Sequence, residues 1–184
     1  MAERVIVFID GSNFYHGLKR NCSAKTGDFK DIDFGKFVSK IIGNRKLIRT
    51  YYYNASVDQE KDPEKYRKQR QFFEKLRRIP NFKVTLVRLQ KRIIDGQTSY
   101  AIKGDDIHLA TDLIVLAYNN AYDTALIISG DADFIPAIKA VQEKGKQVEN
   151  HYFRQGGSFQ LRQECNHSVQ ITEELVNECR ENRD

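Results

Sequence analysis

Carboxylates follow two apolar segments of the chain that have the length and character of buried strands. Asp10 ends the run of residues 5–9, and Asp131 and Asp133 follow the run of residues 125–128 after a Ser-Gly turn. Continuous apolar runs are typical of central strands in a parallel sheet that is covered on both faces. Ligands of such sheets bind beyond the carboxyl ends of the strands, so we expect these side chains to share one crevice. Three clustered carboxylates need a cation, which indicates a divalent-metal site.

Further acidic residues lie in a segment that is otherwise strongly apolar. Asp105 and Asp106 begin a predicted helix over residues 105–119, and Asp112 lies inside it. Capping of the helix N-terminus is an alternative explanation for the first two, and a salt bridge is one for Asp112. Turn formation is an alternative for the acids that follow the strands, because Asp, Gly, Ser and Asn are common in turns. The occurrence of two such turns, each after a central strand, favours a functional site.

The type of ligand in this crevice indicates which metal ion it would bind. Two of them about 5 Å apart repel by about 3 kcal/mol at an effective dielectric constant near 20, so either protons or a cation must compensate. Oxygen ligands without a converging set of His or Cys select Mg²⁺ or Mn²⁺ over zinc. Such an ion activates water and stabilises charge that develops on a phosphoryl oxygen.

One segment of the chain is strongly basic. Residues 61–92 contain twelve Lys or Arg and three acidic residues, a net charge of +9, whereas the whole chain carries +5. A basic segment on an otherwise acidic body indicates a polyanionic partner such as a nucleic acid backbone, although a solvated helix face would look the same. The candidate backbone contacts are Lys65, Arg67, Lys68, Arg70, Arg77, Arg78, Arg88 and Arg92. Tyr51, Tyr52 and Tyr53 are either stacking surfaces for bases or, as is commoner in a strand, core residues.

The elements that must position these residues alternate along the chain. Such alternation predicts an α/β fold with a parallel sheet and right-handed crossovers. The pattern alone leaves the strand order open. The predicted strands are 4–10, 46–54, 83–90, 124–129 and 147–153, and the main predicted helices are 32–43, 62–78, 105–119 and 134–144. Residues 91–103 lack a clear period and are expected to form a loop or an irregular hairpin.

The composition is typical of an ordinary globular protein. The chain has 184 residues, of which 40% are hydrophobic and 30% are charged, and no apolar run reaches membrane-spanning length. The first predicted strand begins too early for a signal peptide. Cys22, Cys165 and Cys179 are odd in number and widely spaced, which favours free thiols in a cytoplasmic protein over disulfides or structural zinc.

Three motifs in order along the chain resemble the NYN domain, in its LabA-like bacterial and archaeal branch, which is related to the PIN-domain nucleases. They are FIDGSNFY (residues 8–15), KGDDIHLATD (103–112) and ISGDADFIP (128–136). The resemblance implies a Rossmann-like, PIN-like three-layer sandwich with a central parallel sheet of order 3-2-1-4-5. It also implies a Mg²⁺- or Mn²⁺-dependent ribonuclease site. The residues that match the acidic metal-binding set are Asp10, Asp106, Asp131 and Asp133; Asn13 matches the polar residue of the first turn, and Asp112 the acid inside the helix. Asp105 lies where the family usually has an apolar residue.

These expectations combine into a hypothesis of metal-dependent RNA cleavage. Asp10, Asp106, Asp131 and Asp133 would be both metal ligands and catalytic residues, while Asn13 and Ser129 would orient water or phosphate. The rivals are an RNA-binding regulatory module with little or no turnover and an aspartyl-phosphate phosphatase. The latter expects a second Asp at the position of Ser12. Residues 1–155 are predicted to form the NYN domain and residues 156–184 a helical extension packed on it, with no membrane partner and an open oligomeric state.

Overall fold

A single sheet organises the chain in the computed structural model, which describes residues 2–22, 29–94, 97–102 and 104–181. In this part of the chain the strands are β1 (Arg4–Asp10), β2 (Lys46–Ser56), β3 (Phe82–Ile94), β4 (Gln97–Ile102), β5 (Thr124–Ile128), β6 (Gln147–Tyr152) and β7 (His167–Gln170). Their order in the sheet is β4-β3-β2-β1-β5-β6-β7. All neighbouring pairs are parallel except β3 with β4. The order expected for the five predicted strands is therefore confirmed.

Helices cover both faces of this sheet. They are α1 (Gly11–Asn21), α2 (Phe34–Ile42), α3 (Pro63–Arg77), α4 (Asp105–Tyr118), α5 (Ile135–Glu143), α6 (Phe159–Glu164) and α7 (Glu173–Glu178). Residues of β1 alternate between two cores, with Val7 and Ile9 packing towards α1, α2 and α3, and Phe8 packing towards α4 and α5. Because β1 is buried on both faces, its sequence is continuously apolar. The predicted three-layer α/β architecture is confirmed.

Local signals account for several helix boundaries. The Asp62 carboxylate accepts a hydrogen bond from Lys65 N at 2.9 Å, and Pro63 follows at the first helical position, as the sequence predicts for the start of α3. Gly145 ends the segment of α5 with φ +77°, which glycine adopts readily. Helix α1 begins directly at Gly11, because Asp10 itself is the N-cap.

Two features of the sheet lie outside the five predicted strands. The segment expected to be a loop or irregular hairpin contains β4, which pairs antiparallel with the end of β3. Strand β7 pairs in parallel with β6 at the other edge, where no strand was predicted. Within the described ranges, none of the helices combines the length and the apolar character needed to cross a membrane.

Candidate active site

Asp10 lies at the point where the central strand β1 becomes α1. The side chain is 8% exposed, and its Oδ1 accepts a hydrogen bond from Asn13 N at 2.9 Å, so the carboxylate caps the helix. The next position must be glycine, because a Cβ on Gly11 would lie 2.5 Å from the ring of Tyr52. Strand, cap and helix thus hold the Asp10 carboxylate in one orientation.

Hydrogen bonds join the loop after β1 to the loop after β5. Ser129 Oγ donates to Asp10 Oδ2 at 3.0 Å and accepts from Asp131 N at 3.1 Å. Asn13 Oδ1 accepts from Gly130 N at 2.9 Å. These bonds bring together Asp10 and Asp131, which are 121 positions apart in the sequence. Asn13 and Ser129 make these contacts with the protein itself, so they position the acidic side chains.

Asp131 is also oriented by its own turn. Its Oδ1 accepts from Asp133 N at 3.0 Å, which caps a single 3-10 turn over residues 132–134. The preceding Gly130 packs so tightly against another loop that a Cβ would lie 2.3 Å from the carbonyl oxygen of Gly156. The backbone around Asp131 is therefore fixed from both sides.

The N-terminus of α4 supplies the remaining acids. The helix begins after Gly104, which has φ +105° and gives no side-chain cap, so Asp105 and Asp106 lie in the first turn. A cleft of about 320 Å³ is lined by Asp10, Asp131 and both of these residues. Asp133 does not line this cleft but lies close enough to influence the ionisation of Asp106. The fold thus gathers the predicted acidic residues at the carboxyl end of β1 and β5.

Burial and the charges of neighbouring carboxylates raise the pKa of two of these residues, Asp10 and Asp106. Burial raises the pKa of Asp10 to about 6, with smaller contributions from the charges of Asp106 and Asp105. The pKa of Asp106 is raised as well, first by burial and then by the carboxylates of Asp105, Asp131 and Asp133. A bound cation would relieve both effects.

The donor set has the right chemistry for a hard cation, but the side chains are not drawn together around one point. Within the described ranges, no three His, Cys, Asp or Glu side chains are grouped closely enough to hold a metal ion. The acidic groups that line the shared cleft are the carboxylates of Asp10, Asp105, Asp106 and Asp131, and such oxygen donors fit Mg²⁺ or Mn²⁺. Binding of an ion would therefore require these carboxylates to move closer together.

Two residues that line the cleft carry functional groups that sequence analysis did not single out. They are Arg20 and His16, both on α1. Arg20 Nη1 lies 2.8 Å from the position that a Cβ of Gly156 would take. In the sequence Arg20 looks like a basic residue in the last turn of a helix, which is common. This pattern does not predict that Arg20 lines the cleft with the acidic residues.

Asp112 lies apart from the cleft. Its Oδ2 accepts a hydrogen bond from Tyr53 Oη at 2.8 Å, and the partner is thus a tyrosine of β2 rather than a basic side chain. Burial and this carboxylate raise the pKa of Tyr53. Asp112 ties α4 to the sheet beneath it.

The basic segment divides between two faces of α3. Lys65 and Lys68 line a cavity next to the acidic cleft, whereas Arg67, Arg70 and Arg78 line a separate depression. Arg77 pairs with Glu74 at 2.7 Å on the same helix. Arg88 and Arg92 belong to β3, but their side chains lie outside the described residues. The predicted contacts are not all on one surface.

The three tyrosines of β2 are core residues. Tyr51, Tyr52 and Tyr53 are 6%, 0% and 2% exposed, and Tyr51 stacks on Phe8 with ring centroids 5.6 Å apart. Their burial excludes the alternative that they stack on bases.

A three-layer sandwich with acidic residues at the ends of two central parallel strands is the arrangement that the resemblance to PIN-like nuclease domains implies. The family model of the NYN domain matches residues 4–172. The chain belongs to the NYN domain family, a member of the PIN-like nuclease superfamily.

Similar proteins give a consistent picture of the fold. A crystal structure of a protein of unknown function from Vibrio parahaemolyticus matches with a TM-score of 0.71 and 24% identity, covering 94% of each chain. An uncharacterized protein of Methanocaldococcus jannaschii is 35% identical over 70 residues, which is 38% of this chain. The match spans only 29% of the length of that archaeal relative.

Proposed function

We propose that the chain is a Mg²⁺- or Mn²⁺-dependent ribonuclease that hydrolyses phosphodiester bonds at the acidic cleft. The observation that carries the proposal is the junction between the two loops: Ser129 Oγ donates to the Asp10 carboxylate and accepts from the backbone N–H of Asp131, and both residues line one cleft. A purely structural turn has no need for a second carboxylate beside a buried one, because each added charge raises the cost of folding. Membership of a nuclease superfamily supports the same reading.

In this proposal the acidic residues have distinct tasks. Asp10, Asp106 and Asp131 would hold one ion directly or through water, and Asp133 would complete its shell or a second site. When bound, the ion would activate a water molecule and neutralise charge on the phosphoryl oxygens. Asn13 and Ser129 orient carboxylates and loops, so their removal would misplace the ligands rather than remove one. Asp105 stands beside Asp106 as an alternative ligand.

RNA is the proposed partner because the cleft has basic side chains next to it. Lys65 and Lys68 are exposed on the same side as the cleft and would contact the phosphate backbone. Neutralisation of phosphates by such residues predicts binding that weakens as salt rises. We further propose a cytoplasmic location, since Cys22, Cys165 and Cys179 are free thiols. The assignment to the LabA-like branch and the domain boundary at residue 155 remain predictions.

The test is cleavage of labelled RNA by protein that has been stripped with chelator and then supplied with Mg²⁺ or Mn²⁺. Asp10→Asn and Asp131→Asn are each expected to abolish cleavage, because each removes a charged ligand. Glu143→Gln is the matched control, since it removes an exposed carboxylate of α5 away from the cleft. Cleavage at the wild-type rate by both Asp variants would refute the assignment.

An RNA-binding regulatory module is the second candidate. The spacing of the acidic side chains favours it, because none of the described carboxylates form a compact group of three. This candidate predicts RNA binding with a steep salt dependence and no cleavage at any concentration of either metal. Metal-stimulated cleavage by the wild type would eliminate it.

A further inference from the structure

A second cavity adjoins the acidic cleft and has a different chemical character. It measures about 630 Å³, is lined by parts of α1, β2 and α3, and shares Ser12 with the cleft. Gly11, the neighbour of Asp10, also lines it. Its size lies in the range of pockets that bind small organic ligands. A group held in this cavity would be adjacent to whatever is bound at Asp10.

The walls of the cavity are aromatic. Tyr15 of α1 and Phe29 are partly exposed and line it, and the buried Phe72 of α3 packs against Phe29. The ring centroid of Phe29 is 5.5 Å from that of Tyr15 and 4.9 Å from that of Phe72. Aromatic walls of this kind favour a flat, apolar-faced group, because stacking on a ring needs no specific hydrogen bond.

A polar group lies unsatisfied next to this cavity. Tyr52 Oη is fully buried and makes no hydrogen bond of normal geometry with the described residues, and it packs against Gly11. Burial raises the pKa of Tyr52, an effect that the nearby Asn54 side chain partly offsets. Asn54 itself lines the cavity. A nucleobase has flat faces that stack on aromatic rings and polar edges that form hydrogen bonds. The Asn54 side chain is a polar group of the wall that can bond to such an edge.

The charged residues that line the cavity indicate whether it binds a phosphate or a base. The four charged residues that line the cavity are Asp62, Glu64, Lys65 and Lys68, so their formal charges cancel. Glu64 forms an ion pair with Lys68, and the Asp62 carboxylate caps α3. A cavity without net positive charge offers little to a phosphate but accepts a neutral planar group.

We propose that this cavity binds a base of the strand that is cut, next to the scissile phosphate at the acidic cleft. The inference rests on the proposed function and adds to it a contact with one base, which must be unpaired or flipped out of its duplex to enter the cavity. The base stacks against the partly exposed rings of Tyr15 and Phe29.

The experiment measures binding in chelator, where no cleavage competes, by fluorescence anisotropy. Two ligands of equal length and charge are compared: a labelled single-stranded RNA and the same ribose-phosphate chain without bases. The wild type is expected to bind the RNA about ten-fold more tightly, a typical effect of stacking one base. Tyr15→Ala removes one wall and is expected to abolish this preference. Val57→Trp, which fills the cavity from the loop after β2, should have the same effect.

The control and the opposite outcomes separate this inference from the proposed ribonuclease activity. Arg67→Ala with Arg70→Ala removes two charges from the other face of α3 and should leave the preference for bases intact. Thermal melting establishes that each variant is folded. Equal affinity of the wild type for both ligands, or a preference that survives in both cavity variants, would overturn the inference. Metal-dependent cleavage of the base-free chain is measured separately and tests the acidic cleft alone, so its absence would count against the ribonuclease activity and leave the binding comparison intact.

Discussion

Replacement of Asp10 by Asn should stabilise the metal-free protein while it abolishes cleavage. Burial raises the pKa of Asp10 from 3.8 to about 6. The native state therefore holds the Asp10 proton more tightly than the unfolded chain does, and stability is lost as the pH rises from about 4 to above 6. One pKa unit corresponds to about 1.4 kcal/mol, so the full cost of ionisation is about 3 kcal/mol. Asn has no charge to desolvate, and its amide oxygen still accepts from Asn13 N.

The assay is urea denaturation of wild type and Asp10→Asn in chelator, near pH 4 and near pH 7.5. The variant should gain about 2 kcal/mol over the wild type between the two conditions, because only the wild type ionises a buried carboxylate there. Glu143→Gln controls for the loss of one negative charge from the whole protein. If the difference in unfolding free energy between wild type and Asp10→Asn does not change with pH, the argument that burial makes ionisation of this carboxylate costly is refuted. Saturating Mg²⁺ should narrow the gap at the higher pH, because it binds only the wild-type site well.

Three further predictions concern Asp131, Gly130 and the contact between Tyr53 and Asp112. Mg²⁺ or Mn²⁺ should raise the melting temperature of the wild type by mass action, and Asp131→Asn should reduce the rise; an equal rise in both would place the ion elsewhere. Gly130→Ala should destabilise by about 1–3 kcal/mol in urea and slow RNA cleavage, because its Cβ would lie 2.3 Å from the Gly156 carbonyl oxygen. Unchanged stability would mean that the loops separate freely. Tyr53→Phe should lower the free energy of unfolding by about 1 kcal/mol in the same measurement, since Asp112 loses a hydrogen bond. RNA cleavage should persist in this variant. Loss of cleavage would mean that Asp112 has a direct role in the reaction.

The part of the fold that the sequence predicts best is the part with the strongest local signals. The run of residues 5–9 is apolar because β1 is buried on both faces, and α3 has both a capping Asp and a proline at its start. The neighbouring positions of β1 and β5 came from the family resemblance, since the pattern of apolar residues does not specify strand order. The convergence of Asp10 and Asp131 depended on that order.

Strand β7 shows why the rest of the sheet escaped prediction. All four of its residues, His167–Gln170, are exposed, so no alternating or continuous apolar pattern marks them. The strand forms because β6 offers a free edge and Ile171, which follows, is buried against the core. The strand therefore depends on tertiary contacts, and the sequence of its four residues alone does not predict it.

The charge of the sequence predicted the basic segment, but it did not predict that its residues lie on two faces of α3. A helix of 3.6 residues per turn points Lys65 and Lys68 one way and Arg67 and Arg70 another, but only the packing of α3 reveals which face adjoins the cleft. Phe72 and Phe73 are both buried, and they set that orientation. Net charge is therefore a guide to the class of partner and a poor guide to the contacts.

The hydrogen bonds of Asp10 explain how a costly carboxylate persists in the core. Each oxygen accepts one bond, from Asn13 N and from Ser129 Oγ, and both bonds lower the pKa of Asp10 without offsetting its burial. A protein that needed only a helix cap would gain more from Ser or Asn at this position, because these residues cap equally well without a charge to desolvate. The remaining lone pairs of a pre-oriented carboxylate are free for one more interaction, and a cation is the ligand that recovers the desolvation energy. The cost of burying the Asp10 carboxylate is thus a physical argument in support of the proposed metal site.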